Sequence, residues 1–367
     1  MLRGLRLALV GPLPPPSGGM ANQTRQLGEL LAEEGVQVTI VQVNSPYPGK
    51  LVGRVPVLRA VVRLFPYVVR LFRVIGKSDV VHIMANSGWS WHFFAAPAIL
   101  VARWRGVPSV VNYRGGEAAT FLADSHALVR FILRGSSALV VPSRYLHGVF
   151  SKHRIESDVV PNIIDLNRFR PRTEPRSRNE LHLLVPRNLE PIYDVDSALR
   201  ALQIVRRTLP QVRMTVAGSG PERERLEQLA NDLGVAEATE FCGRVDRDVM
   251  ASLYRDADVV INPSLVDNMP NSVLEALASG VPVVSTNVGG VPYIVRDGVT
   301  ALLVPPRAPA ELAAALRRVL EDATLAAELC QNGLRDVRQY AWSQVRDQWA
   351  RVYQLALAGS RIAMETA

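Results

Sequence analysis

Two carboxylates and a guanidinium carry most of the chemistry open to this chain. Asp267 is followed eight positions later by Glu275, with the polar turn Asn268-Met269-Pro270-Asn271-Ser272 between them. This pattern places the first acid on a loop and the second on the helix that follows. The start of that helix offers backbone N–H groups and the positive end of its dipole to an anionic ligand. An ionised carboxylate accepts two O–H donors at once, so the pair also suits a hydroxyl-rich ligand. Arg187 follows the apolar run Leu181–Val185 and stands at the carboxyl end of a strand, where open α/β sheets bind ligands. A guanidinium there can hold phosphate oxygens in a two-pronged contact, against the plainer reading of a surface ion pair.

Glycine turns supply a second set of candidates. Gly11 opens a turn that closes on Gly18-Gly19 and leads into a helix near Ala21. Glycine lets a ligand approach the backbone, although a merely tight turn would look the same. Ala217-Gly218-Ser219-Gly220-Pro221 is another strand, turn and helix start, and a weak signal taken singly. Neither turn is GxGxxG, and GxSxG is absent around Ser219, so neither a nicotinamide site nor a nucleophile elbow is supported. The Asp-x-Asp pairs 194/196, 246/248 and 256/258 are expected by chance among 34 acids; the second reads as a helix cap and the third leads into a strand. The six histidines form no ligand cluster, so no metal site is expected.

These residues need a frame. Short Val-rich runs recur at Leu5–Val10, Val36–Val43, Val80–Met84, Ser109–Asn112 and Ala138–Val141. The rhythm restarts at Leu181–Val185, Arg213–Ala217, Glu240–Cys242, Val259–Asn262 and Val281–Ser285. Such runs suit parallel strands covered on both faces. Helical patterns lie between them, among others at Ala21–Glu34, Val195–Thr208, Glu222–Leu233 and Ala310–Glu321. The expectation is an α/β protein of two successive doubly wound units. The polar stretch Arg168–Arg178, with Pro171 and Pro175, reads as the linker. The expected domains are 1–165 and 166–344, with a helix over about 345–367 packing back on the first.

The charge is uneven. Residues 1–170 hold 20 Lys and Arg against 9 Asp and Glu, and the remainder 22 against 25. A basic first half suggests an anionic partner, unless it only reflects a GC-rich genome. From Lys50 to Lys77 there are seven basic residues and no acid, and Arg59, Arg63, Arg70 and Arg73 recur at helical spacing among Val, Leu and Phe, with Pro66 as a kink. This is the composition of a helix on an anionic membrane surface, or of a surface helix with a solvated Arg face. No aromatic-interleaved basic platform points to nucleic acid. Cys242 and Cys330 make no disulfide framework and fit a reducing cytoplasm. The N-terminus reads as a buried strand rather than a signal peptide, and no uncharged apolar run reaches membrane-spanning length.

In their order and spacing these motifs resemble the retaining GT-B glycosyltransferases of family 4. The resemblance runs along nearly the whole chain and is strongest over 181–305. It implies two Rossmann-like domains facing a central cleft, the first on the acceptor side and the second binding a nucleotide-sugar donor. In that family an EX7E motif binds the donor: the first acid and following amides meet the sugar, the second acid the ribose. Here these positions are Asp267, with Asn268, Met269, Pro270, Asn271 and Ser272, and Glu275. Arg187 matches an Arg that neutralises the diphosphate, and Gly18-Gly19 resembles a turn against the donor phosphates. Pro161-Asn162-Ile163-Ile164-Asp165 resembles the hinge, and Phe241-Cys242-Gly243-Arg244 the turn that meets the nucleobase. Gly218 and Gly220 join the donor-binding set.

Three departures from the family pattern stand out. Asp267 replaces a Glu and reaches one methylene less far. The Lys expected after Arg187 is absent, with Tyr193 nearby. Arg114, in Asn112-Tyr113-Arg114-Gly115-Gly116, stands about where the family carries a His, and would bring positive charge to the diphosphate or acceptor. The resemblance implies a retaining glycosyltransferase whose catalytic groups are Asp267, Arg187 and Arg114. Its donor would be a UDP- or GDP-sugar, no cofactor or metal would be required, and its acceptor would be a glycan or lipid-linked molecule of envelope or exopolysaccharide synthesis. Its place would be the cytoplasm, peripheral on the inner membrane face through 50–77. The alternatives are a GT-B sugar-nucleotide epimerase and a catalytically silent donor-binding partner.

Overall fold

The structure is a computed structural model that describes residues 2–15, 18–45, 56–173 and 180–365; of 56–63 and 360–365 it describes the backbone only. The chain forms two compact units, Met1–Ile163 with Trp342–Ala367, and Ile164–Ala341.

In the first unit the strands are β1 (Arg6–Gly11), β2 (Gln37–Gln42), β3 (Val80–Ala85), β4 (Ser109–Tyr113), β5 (Ala138–Val141) and β6 (Asp158–Val159). Its helices are α1 (Gly19–Glu33), α2 (Pro56–Ile75), α3 (Ala96–Trp104), α4 (Ala118–Leu133) and α5 (Arg144–Lys152), joined by α12 (Trp342–Glu365). All strand pairs are parallel, in the order β2-β1-β3-β4-β5-β6. β3 and β4 are buried along their whole length, which explains their unbroken apolar runs. Leu27 and Leu31 of α1 join Trp349 and Tyr353 of α12 over one sheet face. α2, α3, α4 and α5 cover the other.

The second unit repeats the plan. Its strands are β7 (Leu181–Val185), β8 (Val212–Val216), β9 (Thr239–Phe241), β10 (Val259–Asn262), β11 (Val283–Thr286) and β12 (Leu302–Val304). Its helices are α6 (Val195–Arg206), α7 (Arg223–Asp232), α8 (Arg247–Asp256), α9 (Asn271–Ala278), α10 (Pro309–Glu321) and α11 (Ala323–Val337). The order is β12-β11-β10-β7-β8-β9, parallel throughout. Strand order reverses between β7 and β10, so their carboxyl ends flank a topological switch point.

The stretch expected as a linker is largely part of the second unit. Phe169 is 1% exposed within that core, Arg168 bridges Asp248 at 2.9 Å, and Arg172 Nε donates to the Arg255 carbonyl at 2.8 Å. One buried aromatic anchors a run that reads as polar. The chain crosses between units at Ile163/Ile164 and Ala341/Trp342, upstream of the expected 165/166 and 344/345. Within the second unit the two crossing points lie side by side, the Ile164 N–H donating to the Tyr340 carbonyl at 3.0 Å. Residues 174–178 of the expected linker, and Lys50 to Val55 of the basic stripe, lie outside the described residues.

Candidate active site

The switch point of the second unit holds the predicted Arg and the first predicted acid together. Arg187 leaves the end of β7 and its Nε donates to Asn262 Oδ1 at 2.6 Å. Asn262 is the last residue of the neighbouring strand β10. Arg187 Nη2 donates to the same amide oxygen and to Asp267 Oδ2. The pair is secluded, with side chains 10% and 13% exposed. Among the described residues nothing accepts from Arg187 Nη1. The guanidinium also lies over the Tyr193 ring, 5.0 Å from its centroid. The position near which the family carries a Lys is thus served by an aromatic platform that fixes the guanidinium plane.

Asn262 is itself held. Its Nδ2 donates to Ser285 Oγ at 2.8 Å, and Ser264 Oγ donates to its Oδ1 at 3.2 Å. The Asp267 loop is pinned by glycines. A Cβ on Gly289 would stand 2.1 Å from the Asp267 carbonyl oxygen, and one on Gly290 would stand 1.6 Å from that of Asn268. The Gly290 N–H donates to the Asp267 carbonyl at 2.9 Å. Gly218 and Gly220 behave alike: a Cβ on them would stand 1.9 Å from the Arg187 carbonyl oxygen and 2.2 Å from that of Leu189. Their missing side chains admit the neighbouring loop. Met269 lies on the Asp267 loop. Its side chain is 7% exposed in the core and anchors the loop from beneath.

Glu275 lies on α9, whose start at Pro270 carries no side-chain cap and no acid in its first turn. Tyr254 of α8, fully buried, donates its hydroxyl to Glu275 Oε2 at 2.9 Å. Burial pushes the Glu275 carboxyl up to about 7, against the Tyr254 hydrogen bond and the charges of Arg247 and Arg187. Arg187 is therefore near enough to act on both acids. In the first turn of α9, Ser272 Oγ is buried with no hydrogen-bond partner among the described residues. Gly243, at φ +68°, makes the turn before the exposed Arg244.

The remaining predicted residues belong to the first unit. Gly18 precedes α1 in extended backbone, and a Cβ there would meet no described atom within 4 Å; Gly19 is the first residue of α1. Arg114 follows the last residue of β4, and its Nη1 donates to Asn162 Oδ1 at 2.5 Å. Burial lowers its guanidinium to about 10. Gln23 of α1 both donates to the Ile163 carbonyl (2.9 Å) and accepts from its N–H (3.1 Å), tying Asn162-Ile163 to the first turns of that helix. His82 sits behind, between Asn112 Nδ2 (3.1 Å) and the Tyr353 hydroxyl (2.8 Å). Burial, aided by Arg114, holds it down at about 3, so it is neutral.

Sequence reasoning missed Asn262, Tyr254 and Asn162's role as the Arg114 partner. A polar residue ending the buried run Val259–Asn262 was a legible signal for the first. Tyr254 gave none, because it falls on the buried face of an ordinary amphipathic helix. The described residues contain no group of three or more His, Cys, Asp or Glu that could hold a metal ion. Asp246 caps α8 by accepting from the Asp248 and Val249 N–H groups at 2.9 Å, and Asp258 Oδ2 accepts from the His182 N–H at 2.6 Å.

Two six-stranded doubly wound units, the second with a cation–carboxylate cluster at its switch point, define a GT-B glycosyltransferase fold. Residues 17–168 match Glycosyltransferase Family 4, and residues 168–336 match Glycosyl transferases group 1. A glycogen synthase of Mycobacterium tuberculosis is 32% identical over 78% of this chain and 70% of its own length. A D-inositol 3-phosphate glycosyltransferase of Acidothermus cellulolyticus is 37% identical over 56% of this chain and 49% of its own. Among solved structures, a sucrose-phosphate synthase of Thermosynechococcus elongatus superposes with a TM-score of 0.77 at 21% identity, covering 97% of this chain and 100% of that one. Anabaena HepE, solved with UDP, gives 0.73 at 18%, over 95% and 100%. The chain belongs to the family 4, group 1 glycosyltransferases, and is a glycosyltransferase.

Proposed function

We propose that this glycosyltransferase moves a sugar from a nucleoside diphosphate donor to a glycan or lipid-linked acceptor with retention of anomeric configuration. The observation that carries the reading is the Arg187–Asp267 pair at the switch point, stacked on Tyr193 and beside the Glu275–Tyr254 pair. Departure of the diphosphate breaks the bond from the anomeric carbon to the phosphate oxygen and leaves charge on that oxygen. Arg187 Nη1 supplies a fixed positive group for it, which costs no reorganisation at the moment of reaction. The acceptor hydroxyl forms the new bond on the same face, and its proton passes to the leaving phosphate. Asp267 meets the sugar hydroxyls, Glu275 the ribose diol, and Ser272 Oγ gains a partner. Arg114 and the Gly18-Gly19 turn add positive charge and open backbone in the first unit. No metal has a part in this scheme.

UDP-sugars are the first donors to test, since HepE has been solved in complex with UDP and with UDP-glucose. A role in envelope or exopolysaccharide synthesis follows from the basic half of the chain and its stripe at 50–77, read as a peripheral contact with the inner membrane face. Among the described residues no helix is long and apolar enough to cross a membrane.

The test is a screen of UDP-, GDP- and ADP-sugars for thermal stabilisation, because a ligand that binds only the folded state raises the melting temperature. Transfer from the best donor to added acceptors follows, with the product's anomeric configuration read by NMR. Stabilisation by none of them, or an inverted product, would sink the reading. Interconversion of the free donor without transfer would favour an epimerase.

A further inference from the structure

α3 of the first unit is apolar on both sides. Its inner face carries Ala98, Ile99 and Ala102, all fully buried. A surface helix is expected to be polar on the other side. Instead Leu100 and Trp104 are 47% and 71% exposed there, and Phe93, in the π-helical turn Trp91–Ala95 just before α3, is 39% exposed. Leu100 and Trp104, four residues apart, share one side of α3 and form a ridge. Trp89, 74% exposed, extends it by stacking on Phe93 with ring centroids 5.4 Å apart. α2, α3 and α4 form one layer on one sheet face, and the flanking helices add exposed Phe65, Leu128 and Phe131.

Basic groups are set among these rings. The Arg105 guanidinium lies 5.2 Å from the Trp104 ring centroid and 5.6 Å from that of Phe72. Arg70, Arg73, Lys77, Arg103 and Arg134 are exposed around the field, against the acids Glu117 and Asp124 on α4 and just before it.

We propose that the outer face of α2–α4, with the Trp89–Trp104 ridge at its centre, is a docking surface for an anionic lipid bilayer. Aromatic rings seat at headgroup depth, and surrounding Arg and Lys meet the negative surface. Charge selects this occupant: in a two-fold contact a second copy would bring the same positive patch against itself. The proposal stands on other residues than the donor site and does not need it. It also moves the weight of membrane contact from the stripe at 50–77, of which the described Arg70, Arg73 and Lys77 lie at and just after the end of α2, to α3.

The full chain is sedimented with vesicles of phosphatidylcholine alone and of equimolar phosphatidylcholine and phosphatidylglycerol. Binding to the mixed vesicles, weakened by salt, is expected, with a blue shift of tryptophan emission. Trp89→Ala with Trp104→Ala should weaken partitioning by at least about tenfold. Arg103→Glu with Arg105→Glu should remove the preference for anionic lipid. Thermal melting of each variant, unchanged from the parent, shows that both residue pairs act at the surface. No binding at low salt, unimpaired binding by the double Trp variant, or self-association of the parent abolished by the same Trp changes would each overturn the proposal.

Discussion

Arg187 and Arg114 each stand at a strand end, Arg187 after the first strand of its unit and Arg114 after the fourth of its own. Each follows the carboxyl end of a buried parallel strand, and each donates to an asparagine side-chain oxygen, at 2.6 Å from Asn262 and 2.5 Å from Asn162. Their surroundings differ. Arg187 adds a carboxylate partner, Asp267, and an aromatic platform, Tyr193. Arg114 meets a neutral amide and is pulled down to about 10 by burial, beside a histidine that stays neutral. The first is a cation whose charge and plane are set before any ligand arrives. The second is a cation kept short of solvent. Two strand ends thus carry two electrostatic devices, which differ in their partner residues and in burial.

The sharpest way to break this comparison is to remove each cation in turn. Arg187→Ala should lower kcat/KM for transfer by about 10²–10³-fold, the effect of losing one preorganised charge-stabilising donor. Arg114→Ala should cost about tenfold, as a partly screened second charge. Equal losses, measured by steady-state kinetics with the best donor, would erase the distinction between the two devices.

The acids sharpen the same contrast through pH. Glu275 is held up at about 7 and must ionise to accept two ribose hydroxyls. Donor affinity should therefore rise about tenfold from pH 6 to its alkaline plateau. Glu275→Gln should weaken binding and flatten the profile, as read by titration calorimetry. Tyr193→Leu removes the platform and leaves the ion pair; a loss of about threefold to thirtyfold in donor affinity is expected from a desolvated cation–π contact.

The smallest effect separates the units by stability. His82, at about 3 in the fold against an ordinary value of 6.5, is neutral where the unfolded chain is charged, so its stabilising contribution is lost as pH falls from 6.5 towards 3. Glu275, at about 7 against 4.5, binds more protons folded than unfolded between those values, so its contribution is lost as pH rises through that window. Acidification from pH 6.5 to 5 should weaken amide-exchange protection in the first sheet and strengthen it in the second. Parallel shifts in both sheets would refute the assignment.

Much of the fold was legible because each clue is local. The run Val80–Met84 shows that its strand is covered on both faces, and β3 is buried throughout. The α1, α6, α7 and α10 patterns match the helices found to within a few residues at each end. Shorter elements escaped: β6 has two residues and β12 three, too few to show a period. Arg168–Arg178 misled because its composition is polar, while the described Phe169 is buried in the second core and Arg168 and Arg172 are tied to α8. The ridge on α3 was hidden for the opposite reason: Leu100 and Trp104 fit a buried helix as well as an exposed one, and only the assembled layer shows which side faces out.

By itself the sequence determined the two doubly wound units, the acids Asp267 and Glu275 on loop and helix, and Arg187 at a strand end. These are readable because periodicity and spacing along the chain fix each element's faces and ends. Only the tertiary structure decided that Arg187 meets Asn262, Asp267 and Tyr193, that Tyr254 holds Glu275, and that Arg114 rests on Asn162. Those pairings depend on strand order. β7 lies beside β10, with β8 and β9 on its other side, so residues some 75 apart in sequence share a hydrogen bond, which no local pattern encodes.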